Sequence, residues 1–328
     1  MKTILLTKLL LVILIAPSCS SLSSAQRNGQ TVNAVASPAA KQNESSRREL
    51  EEQFAQIAAQ AKGRVGVAAV MLDGRNQTSD ISSQTFVASL NRQEHFPMHS
   101  VYKLPIAMAV LRRVDDGKLK LDQKVKVEKS DFVPAGMYSP VRDKNPKGAE
   151  LSLAELLRYA VSESDGTASD VLLNLAGGPK DVTAFLDEIK VSGINVVNSE
   201  KEIGRDWNTQ YENWATPAGA VELLAALYDR RGLSADSQAL LLKLLTESIP
   251  GAKRLKGELP AGTVVAHKTG TGGTRQGVTS ATNDIGIITF PDGRHLAVAV
   301  FVSDSKADEA TREGVIARIA KAVWDKWR

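Results

Sequence analysis

Cysteine is almost absent. Cys19 is the only one, which excludes an intrachain disulfide, a thiolate zinc site and a cysteine nucleophile from the rest of the sequence. Histidine is nearly as scarce. His95, His99, His267 and His295 make no zinc-binding spacing, and the one i,i+4 pair, His95 and His99, is interrupted by Pro97. No metal and no cofactor is expected. No apolar run is long enough to span a membrane, and no low-complexity tract is present. Charge of one sign is also missing: the formal charge is +4, and because the first 25 residues carry Lys2 and Lys8 without an acid, 4 − 2 = +2 remains for the body. That is too little for a nucleic-acid partner. What is there is ordinary globular material, 43% hydrophobic and 24% charged over 328 residues, enough for one large domain or two smaller ones.

Residues 1–25 read as an export signal: Lys2, an apolar run over 9–16, then Ser23-Ser24-Ala25 before Gln26. Ala16-Pro17-Ser18-Cys19 leaves open a lipoprotein anchored at Cys19. Either reading takes the chain out of the cytoplasm, with the periplasm as the expected destination. Residues 26–45 are polar and read as a flexible leader. Ser46-x-x-Glu49 is a capping box, and Leu50, Phe54, Ile57 and Ala58 recur at helical spacing, so a helix is expected from there to about Lys62. Residues 65–72 and 85–90 read as strands around an Asp73-Gly74 turn.

From His99 to about Thr246 the pattern is helical, over 100–114, 153–161, 168–175, 181–189, 218–228 and 237–245. Ser152-x-x-Glu155 is a second capping box, Thr216-Pro217 opens a helix, and Gly177-Gly178 closes one. Strands return over 263–267, 284–290 and 296–302, with Pro291-Asp292-Gly293 as a turn, before a last helix over 308–326. The expected fold is α/β: one five-stranded sheet built from both chain ends (46–97 and 250–328) with flanking helices, and an inserted all-helical domain over 98–249. A cleft between such parts is where binding groups gather.

Ser100-Val101-Tyr102-Lys103 opens a helix, so the serine and lysine share a face. A serine at a helix start has free backbone N–H groups beside it, able to stabilise an oxyanion. A desolvated lysine one turn on can take its proton. Ser303-x-x-Lys306 has the same spacing, so a capping serine with a solvated lysine is open for either copy. Ser164-Asp165-Gly166 interrupts the helical block, and Lys268-Thr269-Gly270 ends the first C-terminal strand; singly they read as a turn and a strand end. Together the three clusters form the ordered set S-x-x-K, S-D-x, K-T-G.

That set resembles the serine β-lactamases and penicillin-binding proteins. Within them the chain resembles class A β-lactamases, and more narrowly the PER-type extended-spectrum subgroup, through Leu255-Lys256-Gly257, residues 259–271 and Thr282-Asn283-Asp284. Ser199-Glu200-Lys201 and Gln210-Tyr211-Glu212-Asn213-Trp214 resemble that subgroup's omega loop. The resemblance implies an antiparallel sheet in a transpeptidase-like fold and hydrolysis of small-molecule β-lactams by a monomer. It implies Ser100 as nucleophile, with Lys103, or Glu200 through a water, as its base, and backbone N–H groups of Ser100 and Thr271 as the oxyanion hole. It also implies that Ser164 protonates the departing nitrogen beside Lys268, and that Glu200 activates the deacylating water. Thr269, Gly270 and Thr271 would line the substrate carboxylate's site. Arg254 is either a guanidinium for that carboxylate or a surface arginine, and Tyr138 either an aromatic at the cleft mouth or a core residue.

The pattern departs from the family in places. Gly166 replaces the Asn of S-D-N, which would bond the substrate amide, and Gly204 replaces an Asn that helps hold the hydrolytic water. Asn198 and Asn213 stand where an Arg–Asp pair commonly closes the omega loop, a pair the PER type also lacks. With the long 272–280 connection, this implies a roomy cleft for oxyimino-cephalosporins. The single cysteine removes the disulfide typical of class A carbapenemases. Gly262-x4-His267-Lys268 approaches a phosphate-binding loop, but His267 occupies the required second glycine. A DD-peptidase-like acyltransferase or a non-hydrolytic β-lactam-binding homologue is the competing reading.

Overall fold

The structure is a computed structural model describing residues 38–73 and 87–328. The expected signal sequence, Cys19, and the first residues of the second expected strand lie outside the described residues. The chain divides after Lys41 into two units, of which the second, Gln42–Arg328, carries the sheet and the helices packed on it.

The sheet has the order β2-β1-β11-β10-β8, from β1 (Arg64–Met71), β2 (Ala88–Leu90), β8 (Val265–Thr271), β10 (Val278–Thr289) and β11 (His295–Ser305), all antiparallel. A short sixth strand, β9 (Thr274–Arg275), pairs with β10. Both chain ends therefore build one sheet, as expected.

Both faces of that sheet are covered, which is why its strands are nearly continuous apolar runs rather than alternating ones. Val67, Ala69, Val298, Val300 and Val302 pack on one side with Leu50 and Phe54 of α1 (Pro38–Ala58) and Val315, Ile319 and Val323 of α10 (Glu309–Trp327). Ala68, Val70, Ala297, Ala299 and Phe301 face the other way. They share a core there with α8 (Pro217–Tyr228), which is buried almost throughout, and α2 (Lys103–Asp115).

The helices between the two halves of the sheet include α4 (Leu153–Val161), α5 (Gly166–Ala176), α6 (Pro179–Glu188) and α9 (Ala235–Thr246). Ser152 and Thr216 cap α4 and α8 as their sequence signals require, and Gly177 ends α5 at φ 104°.

Several expectations need correction. The first helix does not start at Ser46; it runs from Pro38 straight through that box, because residues 39–45 carry no helix breaker and a local cap loses to continued propagation. The inserted block is not purely helical. It contains the antiparallel pair β4 (Lys124–Val127) and β5 (Ala149–Ser152), and two strands, β6 (Ile194–Asn195) and β7 (Trp214–Ala215), that form a small sheet with β3 (Phe96–Pro97) just before the block. Strands of two to four residues carry no readable period. Finally, Lys268-Thr269-Gly270 lies inside β8 rather than at its end.

Candidate active site

Ser100 lies in a 3-10 turn, His99–Tyr102, that leads into α2 at Lys103. The sequence reading has an α-helix starting at Ser100. The tighter turn matters, because side chains three apart eclipse in a 3-10 helix. Lys103 Nζ accordingly sits 2.8 Å from Ser100 Oγ. His99, at φ 46°, holds the left-handed conformation just before the serine.

Lys103 is 2% exposed, and its ammonium is shared. It donates to the Ser164 carbonyl at 2.8 Å and lies 2.8 Å from Glu200 Oε1, an ion contact off the line of a hydrogen bond. Ser164, at φ 63°, turns its hydroxyl the other way and accepts from Lys268 Nζ at 2.8 Å. Lys268 is fully buried, and burial, reinforced by nearby Lys103, pushes its pKa well below the ordinary lysine range. Asp165 caps α5, accepting from Ala168 N–H at 2.8 Å, Val141 N–H at 2.7 Å and Ser139 Oγ at 3.1 Å. Those bonds fix the turn that presents Ser164.

Gly270 explains the close approach of β8 to the serine turn. A Cβ there would lie 2.2 Å from the Met98 carbonyl oxygen. No side chain fits.

Glu200 opens the short helix α7 (Glu200–Ile203), capped by Ser199 and Glu202. In place of an Arg–Asp pair, Asn213 closes the loop. Its Oδ1 accepts from Val197 and Asn198 N–H at 2.8 and 2.9 Å, and its Nδ2 donates to the Asn198 carbonyl at 2.8 Å.

Ser100, Lys103, Tyr138, Ser164, Glu200 and Thr271 line one cleft of about 570 Å³. Tyr138 is 64% exposed at its mouth, which overturns the core alternative. Arg254 is not a surface arginine: it is 4% exposed behind β8, donating to the Gly270 and Asn283 carbonyls at 3.2 and 3.0 Å and to Thr271 Oγ1 at 2.8 Å, and paired with Glu313. Thr269 and Gly270 are buried in β8 beside it. Gly166 is the first residue of α5, where a Cβ would meet the Tyr138 carbonyl at 3.2 Å and Val133 methyls at 3.4 Å. At Gly204 the space is taken by Met137, whose Sδ would be 2.7 Å from a Cβ.

The second Ser-x-x-Lys match separates. Ser303 is buried in β11 and donates to Asp304, while Lys306 is exposed. His267 Nδ1 bonds Asp284 at 2.9 Å. The 272–280 connection is the β9–β10 hairpin, with Gln276 and Gly277 both at positive φ, the pattern of a type I′ turn.

Sequence reasoning misses some residues of the site. Half-buried His99 lines the cleft, with Nε2 3.4 Å from Ser280 Oγ; burial lowers its pKa to about 4 despite the pull of Glu200. Trp207 lines it too, and Gln210 Nε2 donates to its carbonyl at 2.5 Å. Asp170 of α5 reaches the backbone of Glu200. An acid in the apolar stretch 168–173 is the one signal that points to it.

An antiparallel sheet wrapped by its two terminal helices, with a serine–lysine turn facing edge strand β8 across a cleft, defines the transpeptidase-like class. The model of the β-lactamase enzyme family matches residues 49–327. The chain belongs to that family, and within it is a class A β-lactamase, a hydrolase of β-lactam antibiotics. It is 45% identical over 237 residues to the extended-spectrum β-lactamase PER-1 of Pseudomonas aeruginosa, covering 72% of this chain and 76% of that one. To β-lactamase VEB-1 of the same organism it is 41% identical over 246 residues, 74% and 82% of the two chains. Among solved structures it is similar to a β-lactamase from Chitinophaga pinensis DSM 2588, with a TM-score of 0.80 and 44% identity over 85% of this chain and 100% of that one. The TLA-1 extended-spectrum β-lactamase matches with a TM-score of 0.80 and 40% identity, over 86% and 99%.

Proposed function

We propose that the chain hydrolyses penicillins and cephalosporins, oxyimino-cephalosporins among them, through an acyl-enzyme on Ser100 that water activated by Glu200 then clears. The observation that carries this reading is the Lys103 ammonium, 2.8 Å from both the Ser100 hydroxyl and the Glu200 carboxylate. The Ser100 proton passes to Lys103 once that amine is neutral, or to Glu200 through a water; the geometry supports either. As the lactam C–N bond breaks, Ser164 Oγ gives its proton to the nitrogen and recovers one across the Lys268 contact. Backbone N–H groups of Ser100 and Thr271 receive the oxyanion, where one donor is worth about 2.7–4 kcal/mol. The substrate carboxylate lies against Thr269, Gly270 and Thr271, with the Arg254 charge reaching it through Thr271 Oγ1. Tyr138 and the space beside Gly166 border the substrate side chain.

Glu200 in the same cleft favours hydrolysis over a lasting acyl-enzyme of the penicillin-binding kind. The export signal read from residues 1–25 supports action outside the cytoplasm, with anchoring through Cys19 the alternative. Steady-state turnover of a chromogenic and an oxyimino-cephalosporin tests the reading. Ser100→Ala is expected to lose at least ~10³-fold in kcat, and near-parent turnover by that variant would remove Ser100 from the chemistry.

A further inference from the structure

Trp207 is the one large apolar side chain in the polar stretch Arg205-Asp206-Trp207-Asn208-Thr209. The turn there is held without the indole. Asp206 Oδ1 accepts from Asn208 N–H at 2.8 Å and Thr209 N–H at 3.1 Å, and its Oδ2 from the Thr209 hydroxyl at 2.6 Å. The Trp207 carbonyl is taken by Gln210 Nε2, and Tyr211 donates to Asp304 of β11 at 2.6 Å. The backbone on both sides is pinned to its surroundings, yet the indole is only half-buried and lines the cleft. A large aromatic group exposed on a loop whose fold does not use it points to binding.

The opposite wall is the β8–β9 connection. Gly272 N–H donates to the Ala281 carbonyl at 2.9 Å, and the Gly273 carbonyl accepts from Ser280 N–H at 3.0 Å. A Cβ at Gly272 would lie 2.0 Å from Ser280 Oγ and 2.6 Å from His99 Nε2, so that position has no space. Gly273 differs. Among the described residues, the one atom that a Cβ there would approach is Cζ3 of Trp207, at 3.8 Å. The indole edge therefore reaches across the cleft to a point where the facing wall carries no side chain.

Gly273 stands two residues beyond Thr271, whose N–H is assigned above to the oxyanion. A lactam carbonyl seated at Ser100 and Thr271 carries its acylamino group on the adjoining ring carbon. That group leaves between the two walls, past the indole. A tryptophan on a fixed backbone offers a flat apolar face with only two side-chain torsions to order, and planar rings stack on such faces in offset geometry.

We propose that Trp207 is a specificity-determining residue, the platform on which a planar ring in the substrate's acyl side chain stacks, so that β-lactams bearing an aminothiazole or similar ring are preferred over those with small aliphatic side chains. This inference rests on the reading of Ser100 and Thr271 as the acylation site and of oxyimino-cephalosporins as substrates.

The experiment compares kcat/KM, per titrated active site, for two cephalosporins of the same nucleus, one with an aminothiazole oxyimino side chain and one with a plain acetamido group. Trp207→Ala is expected to lose at least ~10-fold on the aminothiazole compound and to stay within about threefold of the parent on the acetamido one. Trp207→Phe, which keeps a flat ring, is expected to stay within about threefold on both. Trp207→Leu, apolar without a flat face, is expected to follow the alanine variant and carries the test if that variant does not fold. Equal losses on the two compounds, a gain on the aminothiazole compound, or a leucine variant as selective as the phenylalanine one overturns the proposal. A parent that hydrolyses the acetamido compound but not the aminothiazole one removes the oxyimino reading and the inference together. If the parent hydrolyses both and Trp207→Ala is unselective, only the inference falls.

Discussion

At the scale of single residues, the site depends on groups whose partners are buried with them. Asp165 has no exposure and satisfies Val141 N–H, Ala168 N–H and the Ser139 hydroxyl together. Asp165→Ala leaves these donors unpaired in the interior, at a cost of about 3 kcal/mol. Urea denaturation checks this: a midpoint lowered at unchanged slope is expected, and an unchanged midpoint would show that the donors find other partners. Much of this level is legible in the sequence. Ser100, Lys103, Ser164 and Lys268 stand out in short motifs, because each motif spans a single turn or strand segment with its own local geometry. Asp170 does not stand out, since its role exists only through the amides of Glu200 and Lys201. Arg254 and Tyr138 each admit two readings that only burial separates.

At the scale of elements, the decisive contact is between β8 and the 3-10 turn His99–Tyr102. Gly270→Ala forces a Cβ onto the Met98 backbone oxygen, and neither strand nor turn has a flexible end to move aside. A loss of about 1–3 kcal/mol in stability is expected from overpacking of this kind. Acylation should slow at least tenfold, because Ser100 and Thr271 are moved apart. Burst kinetics measures it, and a variant with parent-like burst rates contradicts the close-approach account. Helices with strong caps, α4 and α8 among them, are readable to within a residue or two because cap and periodicity agree. The Ser46 box misleads because a cap signal states where a helix is able to begin, not where it must. The 3-10 turn, and the strands β3, β6 and β7 of two residues each, have no sequence period at all.

At the scale of the whole molecule, two groups of the site tie stability to pH in opposite directions. His99 has a pKa near 4 in the fold against about 6.5 unfolded. The unfolded chain therefore binds more protons between those values. The His99 contribution is complete above pH ~6.5 and is lost as pH falls through the folded value. Asp170 is raised to about 6, so its protonated form favours the fold, and that contribution, complete below the unfolded value, is lost as pH rises through 6. Thermal melts of the parent and of His99→Gln between pH 4 and 7.5 separate the two. The variant is expected to lose less stability on acidification than the parent, and parallel curves would remove His99 from the balance. The sheet of both chain ends and the inserted helices is readable from the order of strand and helix patterns. The meeting of three distant segments at Lys103, those of Ser100, Ser164 and Glu200, is readable only through family resemblance, because nothing local specifies contacts of that range.

The central claim is that the ester on Ser100 forms without Glu200 as deacylating base and clears only with it. Intact-protein mass measurement after mixing with an oxyimino-cephalosporin, followed by peptide mapping, tests this directly. The account predicts that the parent returns to its free mass while Glu200→Ala retains the added mass on the peptide containing Ser100. A Glu200→Ala protein that returns to its free mass as fast as the parent would contradict it.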